Sequence, residues 1–561
     1  MGGPLGPDPL LVVARTPEFS RQKAQGLANK SALKALQDTR PLSIPAVLGV
    51  KTRPMPAVPA KVWLVGAGPG DPGLITARAR DVLADAEVVL TDALASPLLL
   101  EFCPQAEVRN VGKRFGEDSA AQLAINQQLI ELALQGRRVV RLKGGDPLLF
   151  ARGGEEALAL KNAGIKFEIV PGISSPVAAS AYAGIPLTHR EMSKSVTFIT
   201  GSDRAGKEWS PEAWQRLATA TDTICVLMGM RRIEEITHAI LAGGRDPHTP
   251  AAVIQWGTRP EQRVVTAELV SLAETVRAAG LKNPAVIVVG EVVRLREELA
   301  WFDTKPLFGK TVLLPRPEQQ GRVTAETIRE RGAEALVLPM IEIGPPPDRA
   351  PLVRAVSELS LYDWVVFSSA NAIEPFFAEL AEQRRDARAF GKARVAVVGP
   401  KTGRALERFG IRPDLVAKEF VAEGLVEALL ATGGPGRVLV PRALRARDVL
   451  PEALRAHGYA VDVVAAYETR PAPAAARAQL HASLTERSID AILFTSGSTV
   501  HETFATLGEA ARDLLADVTL ASIGPITSQA LRDAGFEPHV TAHVSTVEGL
   551  LDALEEYFAS R

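Results

Sequence analysis

A glycine-rich loop, GAGPGDPG at residues 66–73, places the strongest constraint on the fold of this chain. It follows the apolar run Val62–Val65 and precedes a run from Leu74 to Ala84 that is typical of a helix, so the pattern predicts a strand, a turn and a helix. Such a turn brings backbone close to a ligand. A dinucleotide-binding turn needs glycine where Asp71 stands, and Pro69 offers no N–H group to a phosphate. The loop therefore predicts a small-molecule site that is not built for a pyrophosphate.

Composition excludes several classes of protein. The chain has 561 residues, which predicts two to four domains, and its net charge of −1 provides no overall field for nucleic acid or a membrane surface. Its two cysteines, Cys103 and Cys225, exclude a disulfide framework and fit a reducing, cytoplasmic location. No apolar run approaches the length of a membrane span. None of the eight histidines forms a convincing metal site; His539 and His543 are expected to be structural.

The chain divides by composition into an extension and an α/β body. Residues 1–59 contain nine prolines and are interpreted as a mobile extension. From Lys61 onward, continuous Val/Ile/Leu runs alternate with amphipathic helices, which predicts α/β layers with buried sheets. The stretch Leu295–Phe308 has the composition of an interdomain linker. The predicted domains are therefore 60–304 and 309–561, joined at 305–308.

The second domain contains an internal repeat, which predicts two similar α/β subdomains with a ligand cleft between them. The paired segments are 364–377 with 491–504, 394–417 with 519–542, and 310–317 with 436–443.

Four turns at predicted strand ends carry the candidate residues of the first domain. They are the Pro69 loop, Thr91-Asp92, Lys143–Pro147 and Pro171–Ser175. Each alone is more often a plain turn. Because open α/β sheets bind ligands at the carboxyl ends of their strands, the four together predict a site. Their glycines allow a ligand to touch backbone, and the carboxylate at 146 can accept hydrogen bonds from ligand hydroxyl or amine groups.

Four blocks of the first domain closely resemble uroporphyrinogen-III C-methyltransferase, of the tetrapyrrole methyltransferase family. The blocks are GAGPGDPGLIT (66–76), RLKGGDPLLFARGGEE (141–156), VPGISSPVAASAYAGIPLTHR (170–190) and VLMGM (226–230). The resemblance spans roughly residues 60–304. It implies a two-subdomain tetrapyrrole methylase fold that binds S-adenosylmethionine. It also implies two methylations of uroporphyrinogen III, giving precorrin-2 on the sirohaem and cobalamin branch.

The same resemblance assigns residues. Asp92 matches the proposed proton acceptor and Lys113 the proposed proton donor. Methyl transfer from a sulfonium needs alignment more than covalent help, and a carboxylate can take the proton that the pyrrole loses. Thr91, Ala151 and Ser202 depart from the family pattern, mainly on the substrate side. The implied cofactor contacts are Pro69, Gly144, Gly145, Asp146, Leu149, Ser174, Ser175, Met228 and Gly257.

Residues 309–561 resemble uroporphyrinogen-III synthase. The segments that carry this resemblance are LLPRP (313–317), YDWVVFSSANAI (362–373), VAVVGPKTGRAL (395–406), VLVPRA (438–443), ILFTSGSTV (492–500) and IGPITSQAL (523–531). The resemblance implies a two-subdomain α/β fold. It also implies cofactor-free cyclisation of hydroxymethylbilane with inversion of the last ring.

The substrate of that reaction carries eight carboxylates, which suits a cleft with hydroxyls, backbone N–H groups and arginine. Tyr467 matches a tyrosine proposed to assist loss of the hydroxyl group. Many of the Ser and Thr residues could equally cap the helices that follow them. The candidate substrate-binding residues are Arg316, Ser369, Thr402, Arg442, Ser496 and Thr527.

The sequence is therefore interpreted as a bifunctional transferase and lyase of porphyrin biosynthesis. The resemblance of the first domain also implies a homodimer formed through the methyltransferase half. Two alternatives stay open at this point: a synthase half that only binds tetrapyrrole, and a nicotinamide-dependent oxidoreductase suggested by the glycine loop and by Asp92 roughly 20 residues further on.

Overall fold

The structure, a computed structural model, describes residues 61–112, 119–201, 210–316, 318–417, 422–446 and 448–561. The predicted extension at 1–59, Lys113 and Ser202 lie outside these residues. Four sheets with helices packed on their faces confirm the α/β fold class. In the described part of the chain, no helix is both long and apolar enough to cross a membrane.

The first sheet is entirely parallel, and its central strands are largely buried on both faces, whereas the edge strand Glu107–Asn110 is mostly exposed. Val62 and Val65 of the first strand are fully buried, in two different apolar clusters. In the spatial order β3-β2-β4-β1-β5, the sheet contains β1 (Lys61–Gly66), β2 (Val88–Thr91), β3 (Glu107–Asn110), β4 (Arg138–Lys143) and β5 (Lys166–Val170). Its helices are Ala77–Ala84, Ser119–Leu134, Gly153–Asn162 and Ser175–Tyr182.

The helix after the glycine loop starts later than the sequence pattern indicates. Pro72–Leu74 forms a short 3-10 turn, and the α-helix begins at Ala77. Thr76 is the reason, because its side chain accepts the N–H of Ala79 at 3.2 Å and so caps the helix. The extra turn lengthens the loop that faces the candidate site.

The second sheet is mixed. In the order β6-β7-β10-β8-β9, it contains β6 (Val196–Thr200), β7 (Thr223–Leu227), β8 (Pro250–Gln255), β9 (Arg263–Glu268) and β10 (Ala285–Val289). Strands β6 and β7 are parallel, whereas β10 runs antiparallel to both β7 and β8. Its helices are Pro211–Ala220, Ile233–Ala242, Leu272–Ala278 and Arg296–Leu299. Since β7 and β8 both pair with β10, their carboxyl ends lie at the same edge.

Two further sheets form the rest of the chain. One, in the order β12-β11-β19-β20-β21, contains β11 (Thr311–Leu314), β12 (Glu334–Val337), β19 (Ala491–Phe494), β20 (Thr519–Ser522) and β21 (Val540–Thr541). The other, in the order β13-β18-β17-β14-β15-β16, contains β13 (Ile341–Gly344), β14 (Trp364–Phe367), β15 (Arg394–Val397), β16 (Leu415–Val416), β17 (Arg437–Ala443) and β18 (Ala460–Pro471). Their helices are Glu318–Glu330, Ala350–Ser357, Ile373–Glu382, Pro400–Glu407, Ala422–Leu430, Val449–Ala456, Ala474–Thr485, Gly497–Leu507, Ala511–Leu514, Pro525–Asp533 and Val547–Ala559.

The internal repeat coincides with these two sheets. The repeated segments contribute β11, β19, β20 and β21 to one sheet and β17, β14, β15 and β16 to the other, in the same spatial order. The chain enters the first subdomain, builds the second and returns to complete the first. Related loops of the two subdomains therefore follow equivalent strands.

The stretch Leu295–Phe308 is packed rather than extended. Leu307 is fully buried in the core of the next subdomain. The ring of Phe302 lies 4.8 Å from that of Tyr182 and 5.4 Å from that of Phe308, between ring centroids. The indole N–H of Trp301 donates to the carbonyl of Ala181 at 2.9 Å. Aromatic packing thus joins the two halves here.

Candidate functional sites

Three of the predicted loops meet at the carboxyl edge of the first sheet. Gly68 and Gly145 exchange backbone hydrogen bonds of 3.2 and 2.8 Å. A Cβ added to Gly66 would lie 2.5 Å from the Cα of Gly172, so only glycine allows this approach. The close approach joins the ends of β1, β4 and β5 and leaves backbone exposed to a ligand.

Asp71 ties this edge to the second sheet. Its backbone N–H donates to the Thr258 hydroxyl at 3.1 Å, and its Oδ2 accepts the Tyr182 hydroxyl at 2.7 Å. Its Oδ1 accepts the N–H of Gly73 at 2.7 Å, which holds the turn in which Pro69 lies. Asp71, whose side chain makes the loop unlike a dinucleotide-binding turn, therefore links the two subdomains of this half.

Asp146 organises loops with both of its oxygens. Oδ1 accepts the N–H of Leu148 at 2.8 Å and Oδ2 accepts the N–H of Gly172 at 3.1 Å. The carboxylate thereby connects the loop after β4 to the loop after β5. Gly144, Gly145 and the half-buried Leu149 lie in the loop that it holds.

Ser174 occupies the N-cap position of the helix Ser175–Tyr182, yet its side chain makes no capping hydrogen bond. This distinguishes it from Ser369 and Ser496, whose hydroxyls accept N–H groups of the turns that follow them. A serine that leaves a helix N-terminus uncapped presents both a hydroxyl and N–H groups to a ligand.

Backbone strain is concentrated in this half of the chain. Five of the seven described non-glycine residues with positive φ belong to it: Phe150, Arg152, Met228, Trp256 and Thr258. Met228 has φ 55° and is 47% exposed at the end of β7. Gly257 lies beyond β8, where a Cβ would be 2.4 Å from that of Ala179. Strained conformations of this kind collect at ligand sites.

Asp92 lies at the end of β2 above a buried group of charges. Arg141, Lys143 and Glu156 are at most 2% exposed, whereas Asp92 is 29% exposed. The guanidinium of Arg141 donates to Oδ1 of Asp92. Burial and then Arg141 lower the pKa of Lys143, while Glu156 and Asp92 oppose that shift. Arg141, Lys143 and Glu156 all lie within the sequence block RLKGGDPLLFARGGEE, but the sequence analysis assigned them no catalytic or binding role.

The second half contains a cavity of about 380 Å³ between its two subdomains. It brings together Arg316, Ser369, Thr402 and Ser496 among the predicted substrate-binding residues. Arg316 is 9% exposed and donates to the hydroxyl of Thr324 at 3.1 Å. The cavity also borders the N-termini of the helices Pro400–Glu407 and Gly497–Leu507, whose N–H groups favour anions.

Lys401 and Asn371 line the same cavity and were missed by the sequence analysis. Burial, followed by the charges of Arg316 and Arg404, lowers the pKa of Lys401. The internal repeat contained a signal for Lys401, because the equivalent position in the other subdomain is Ile526. A lysine that replaces an apolar residue in only one copy of a repeat indicates a role specific to that copy.

Three predicted residues are not among those that line this cavity. Arg442 donates to Oδ1 of Asp448 at 2.6 Å, and Thr527 is buried at the start of its helix. Tyr467 is 6% exposed within the apolar core of the second subdomain. Among the described residues, no group of three or more His, Cys, Asp or Glu is placed to hold a metal ion.

Taken together, the folds, the meeting of the glycine loops and the cavity indicate an α/β enzyme with a separate candidate small-molecule site in each half. Residues 61–273 match the family model for Tetrapyrrole (Corrin/Porphyrin) Methylases, and residues 322–552 match that for Uroporphyrinogen-III synthase HemD.

Relatives match one or both halves. The porphyrin biosynthesis protein HemD of Ruminiclostridium josui is 36% identical over 501 residues, covering 88% of this chain and 97% of the relative. The uroporphyrinogen-III C-methyltransferase of Bacillus subtilis is 37% identical over 359 residues, covering 63% and 73%. That of a Sinorhizobium species is 48% identical over 242 residues, covering 43% and 86%.

The chain belongs to the family in which a tetrapyrrole methylase is fused to a uroporphyrinogen-III synthase, and it is a bifunctional enzyme of tetrapyrrole biosynthesis. The resemblances seen in the sequence are thereby confirmed, and neither the nicotinamide-dependent oxidoreductase nor a synthase half limited to binding is favoured.

Proposed function

We propose that the second half cyclises hydroxymethylbilane to uroporphyrinogen III and that the first half methylates this product twice to precorrin-2. S-adenosylmethionine is the methyl donor, and the synthase half works without a cofactor. The observation that carries the methyltransferase assignment is the convergence of the loops after β1, β4 and β5 beside Asp92. The cavity between the synthase subdomains carries the other assignment.

The cofactor site fits S-adenosylmethionine by its chemistry. The glycine loops offer backbone to its polar groups, and Ser174 offers a hydroxyl that caps no helix. When bound, the cofactor supplies an electrophilic methyl group. We assign its contacts to Pro69, Gly144, Gly145, Asp146, Leu149, Ser174, Ser175, Met228 and Gly257. Asp146 acts mainly through the loops that it holds, since both of its oxygens already accept backbone N–H groups.

Asp92 takes the proton that the pyrrole loses as its ring carbon gains the methyl group. Its partial exposure at the strand end is compatible with this role. Lys113, outside the described residues, is assigned the donation of a proton. The direction of transfer follows from charge, since a carboxylate accepts a proton and an ammonium group donates one.

In the synthase half, carboxylates of the substrate bind Arg316, Ser369, Thr402 and Ser496, together with Lys401. Helix N-termini add N–H groups to this anion site. Arg442 and Thr527 complete the proposed set from equivalent turns of the repeat. Tyr467 assists departure of the hydroxyl group as water. Since ring closure proceeds through a cation-like intermediate, holding the substrate folded is the main task of these residues.

A two-step assay that starts from hydroxymethylbilane tests these roles. We expect Asp92→Asn to lower methylation by about a hundredfold or more and leave cyclisation intact, and Tyr467→Phe to slow cyclisation and leave methylation of added uroporphyrinogen III intact. Each variant is the folding control for the other, because both activities lie on one chain. Full activity in both variants would contradict the assigned residues. Homodimer formation through the methyltransferase half is tested by light scattering, and a cytoplasmic location by cell fractionation.

A further inference from the structure

We infer that Arg141 and Glu156 are positioning residues for Asp92, an inference that rests on the proposed role of Asp92 as proton acceptor. Arg141 connects the two carboxylates. Its Nη2 donates to Asp92 Oδ1, and its Nε donates to Glu156 Oε1 at 3.2 Å. Its Nη1 donates to the carbonyls of Leu90 and Leu142 at 3.3 and 3.2 Å. With all three nitrogens engaged, the guanidinium has one orientation.

Glu156 is the centre of charge balance in this group. It is completely buried, and its Oε1 accepts from Arg141, from Lys143 at 3.0 Å and from Gln122 at 3.1 Å. Its Oε2 has no hydrogen-bond partner within the described residues. The carboxylate of Glu156 therefore compensates the charges of Arg141 and Lys143 inside the core, and the carboxylate of Asp92 compensates them from the side of the cleft.

Stability alone gives a poor reason for this arrangement. Taking several charges out of water is costly, and apolar residues of similar volume often do as well or better. The surrounding core, which includes Ile125, Leu129 and Leu160, shows that apolar packing is available at this place. Buried charges retained beside a cleft are typical of sites that orient and charge a reacting group.

The arrangement has two consequences for Asp92. It fixes one carboxylate oxygen and leaves the other to face the cleft. It also places positive charge beside the carboxylate, because Arg141 of β4 contacts it directly and Lys143 interacts with its charge. Arg259, in the loop between β8 and β9, donates to the neighbouring carbonyl of Leu94 at 3.4 Å and adds a further positive charge at the cleft. The carboxylate is thus held in one orientation at the cleft.

The test replaces Arg141 by Met in the full chain and measures kcat and KM for methylation of uroporphyrinogen III. We expect kcat/KM to fall ten- to a hundredfold, and the loss to lie in kcat, because the carboxylate is no longer held in one orientation. Binding of S-adenosylhomocysteine and the KM for uroporphyrinogen III should stay within twofold. Arg138→Met is the control, because this arginine lies on the same strand but contacts only surface groups there.

Two further variants make the result decisive. Arg141→Lys keeps a cation but cannot join both carboxylates, so a smaller loss of kcat than in Arg141→Met is expected. Combined with Asp92→Asn, Arg141→Met should add no further loss. Synthase activity on the same chain reports folding. A wild-type kcat in Arg141→Met, or losses that add in the double variant, would overturn the inference. Full methylation by Asp92→Asn would instead overturn the proposed function.

Discussion

The hydroxyl of Tyr182 donates a 2.7 Å hydrogen bond to Oδ2 of Asp71, in the loop that carries Pro69. The other side of the same ring packs against the rings of Trp301 and Phe302, with centroids 4.9 and 4.8 Å away. Burial, reinforced by the hydrogen bond to Asp71, raises the pKa of Tyr182. One side chain therefore contacts both the proposed cofactor loop and the segment that leads into the synthase half.

Replacing Tyr182 by Phe should weaken the methyltransferase site. Loss of the hydroxyl leaves an oxygen of Asp71 without its partner, at a cost of about 1–2 kcal/mol. We expect S-adenosylhomocysteine, measured by calorimetry, to bind two- to tenfold more weakly. Tyr557→Phe is a matched control, since the Tyr557 hydroxyl has no hydrogen-bond partner among the described residues. Equal affinities in the two variants would contradict the link.

Replacing Lys401 by Met should impair the synthase. Lys401 lines the cavity and has no charged counterpart in the repeat, because the equivalent residue is the apolar Ile526, which is 76% exposed. Loss of the ammonium group removes a partner for substrate carboxylates, so we expect the KM for hydroxymethylbilane to rise about fivefold or more. Arg412→Met removes the same charge from an exposed loop of the same subdomain and should leave the KM unchanged. A normal KM in Lys401→Met would exclude this lysine from binding.

Replacing Gly66 by Ala should disturb the meeting of the glycine loops. The added methyl group would lie 2.5 Å from Gly172 and 2.7 Å from the carbonyl oxygen of Gly145, both backbone contacts that cannot rotate away. Overpacking of this kind costs about 1–3 kcal/mol. Chemical denaturation should show the loss, together with weaker cofactor binding. Gly154→Ala is the control, because nothing lies within 4 Å of its Cβ position; similar behaviour of the two variants would refute the steric explanation.

Stability of the synthase half should decline in alkali through Tyr362. Its hydroxyl donates to Asp462 at 2.9 Å, and burial followed by this hydrogen bond raises its pKa to about 12. An unfolded tyrosine has a pKa of about 10, so the stabilisation is complete below pH ~10 and is lost as the pH rises toward about 12. Urea unfolding between pH 9 and 11.5 should show wild type and Tyr362→Phe converging. A difference that stays constant with pH would contradict this origin.

The repeating runs of Val, Ile and Leu were sufficient to predict the strands and the fold class. Strands β6 and β10, for example, both form on apolar runs of this kind. The direction of β10 was not predictable, since apolar content does not distinguish antiparallel from parallel neighbours when both faces are buried. The late start of the helix at Ala77 depended on one cap, Thr76, inside a run that otherwise looks helical.

Site residues were predictable where a motif marks them and not where the fold alone brings them together. The loops of Gly66, Gly145 and Gly172 were each visible in the sequence. The contact between Arg141 and Glu156 was not visible there, because the two residues are 15 positions apart and meet only when β4 packs against the helix Gly153–Asn162. A weak signal existed, since Arg141 and Lys143 are two positions apart in a predicted strand and so lie on one face of it.

The discontinuous course of the synthase half sets an order of completion during synthesis. All six strands of the second subdomain, from β13 to β18, leave the ribosome before β19, which must pair with β11. The edge of β11 that pairs with β19 therefore stays unpaired from the synthesis of Leu314 until that of Ala491. At ordinary elongation rates this interval lasts on the order of ten seconds. An unpaired apolar strand edge invites association with other chains. The nascent enzyme is most exposed to aggregation at this stage, after its middle has folded and before its last strands arrive.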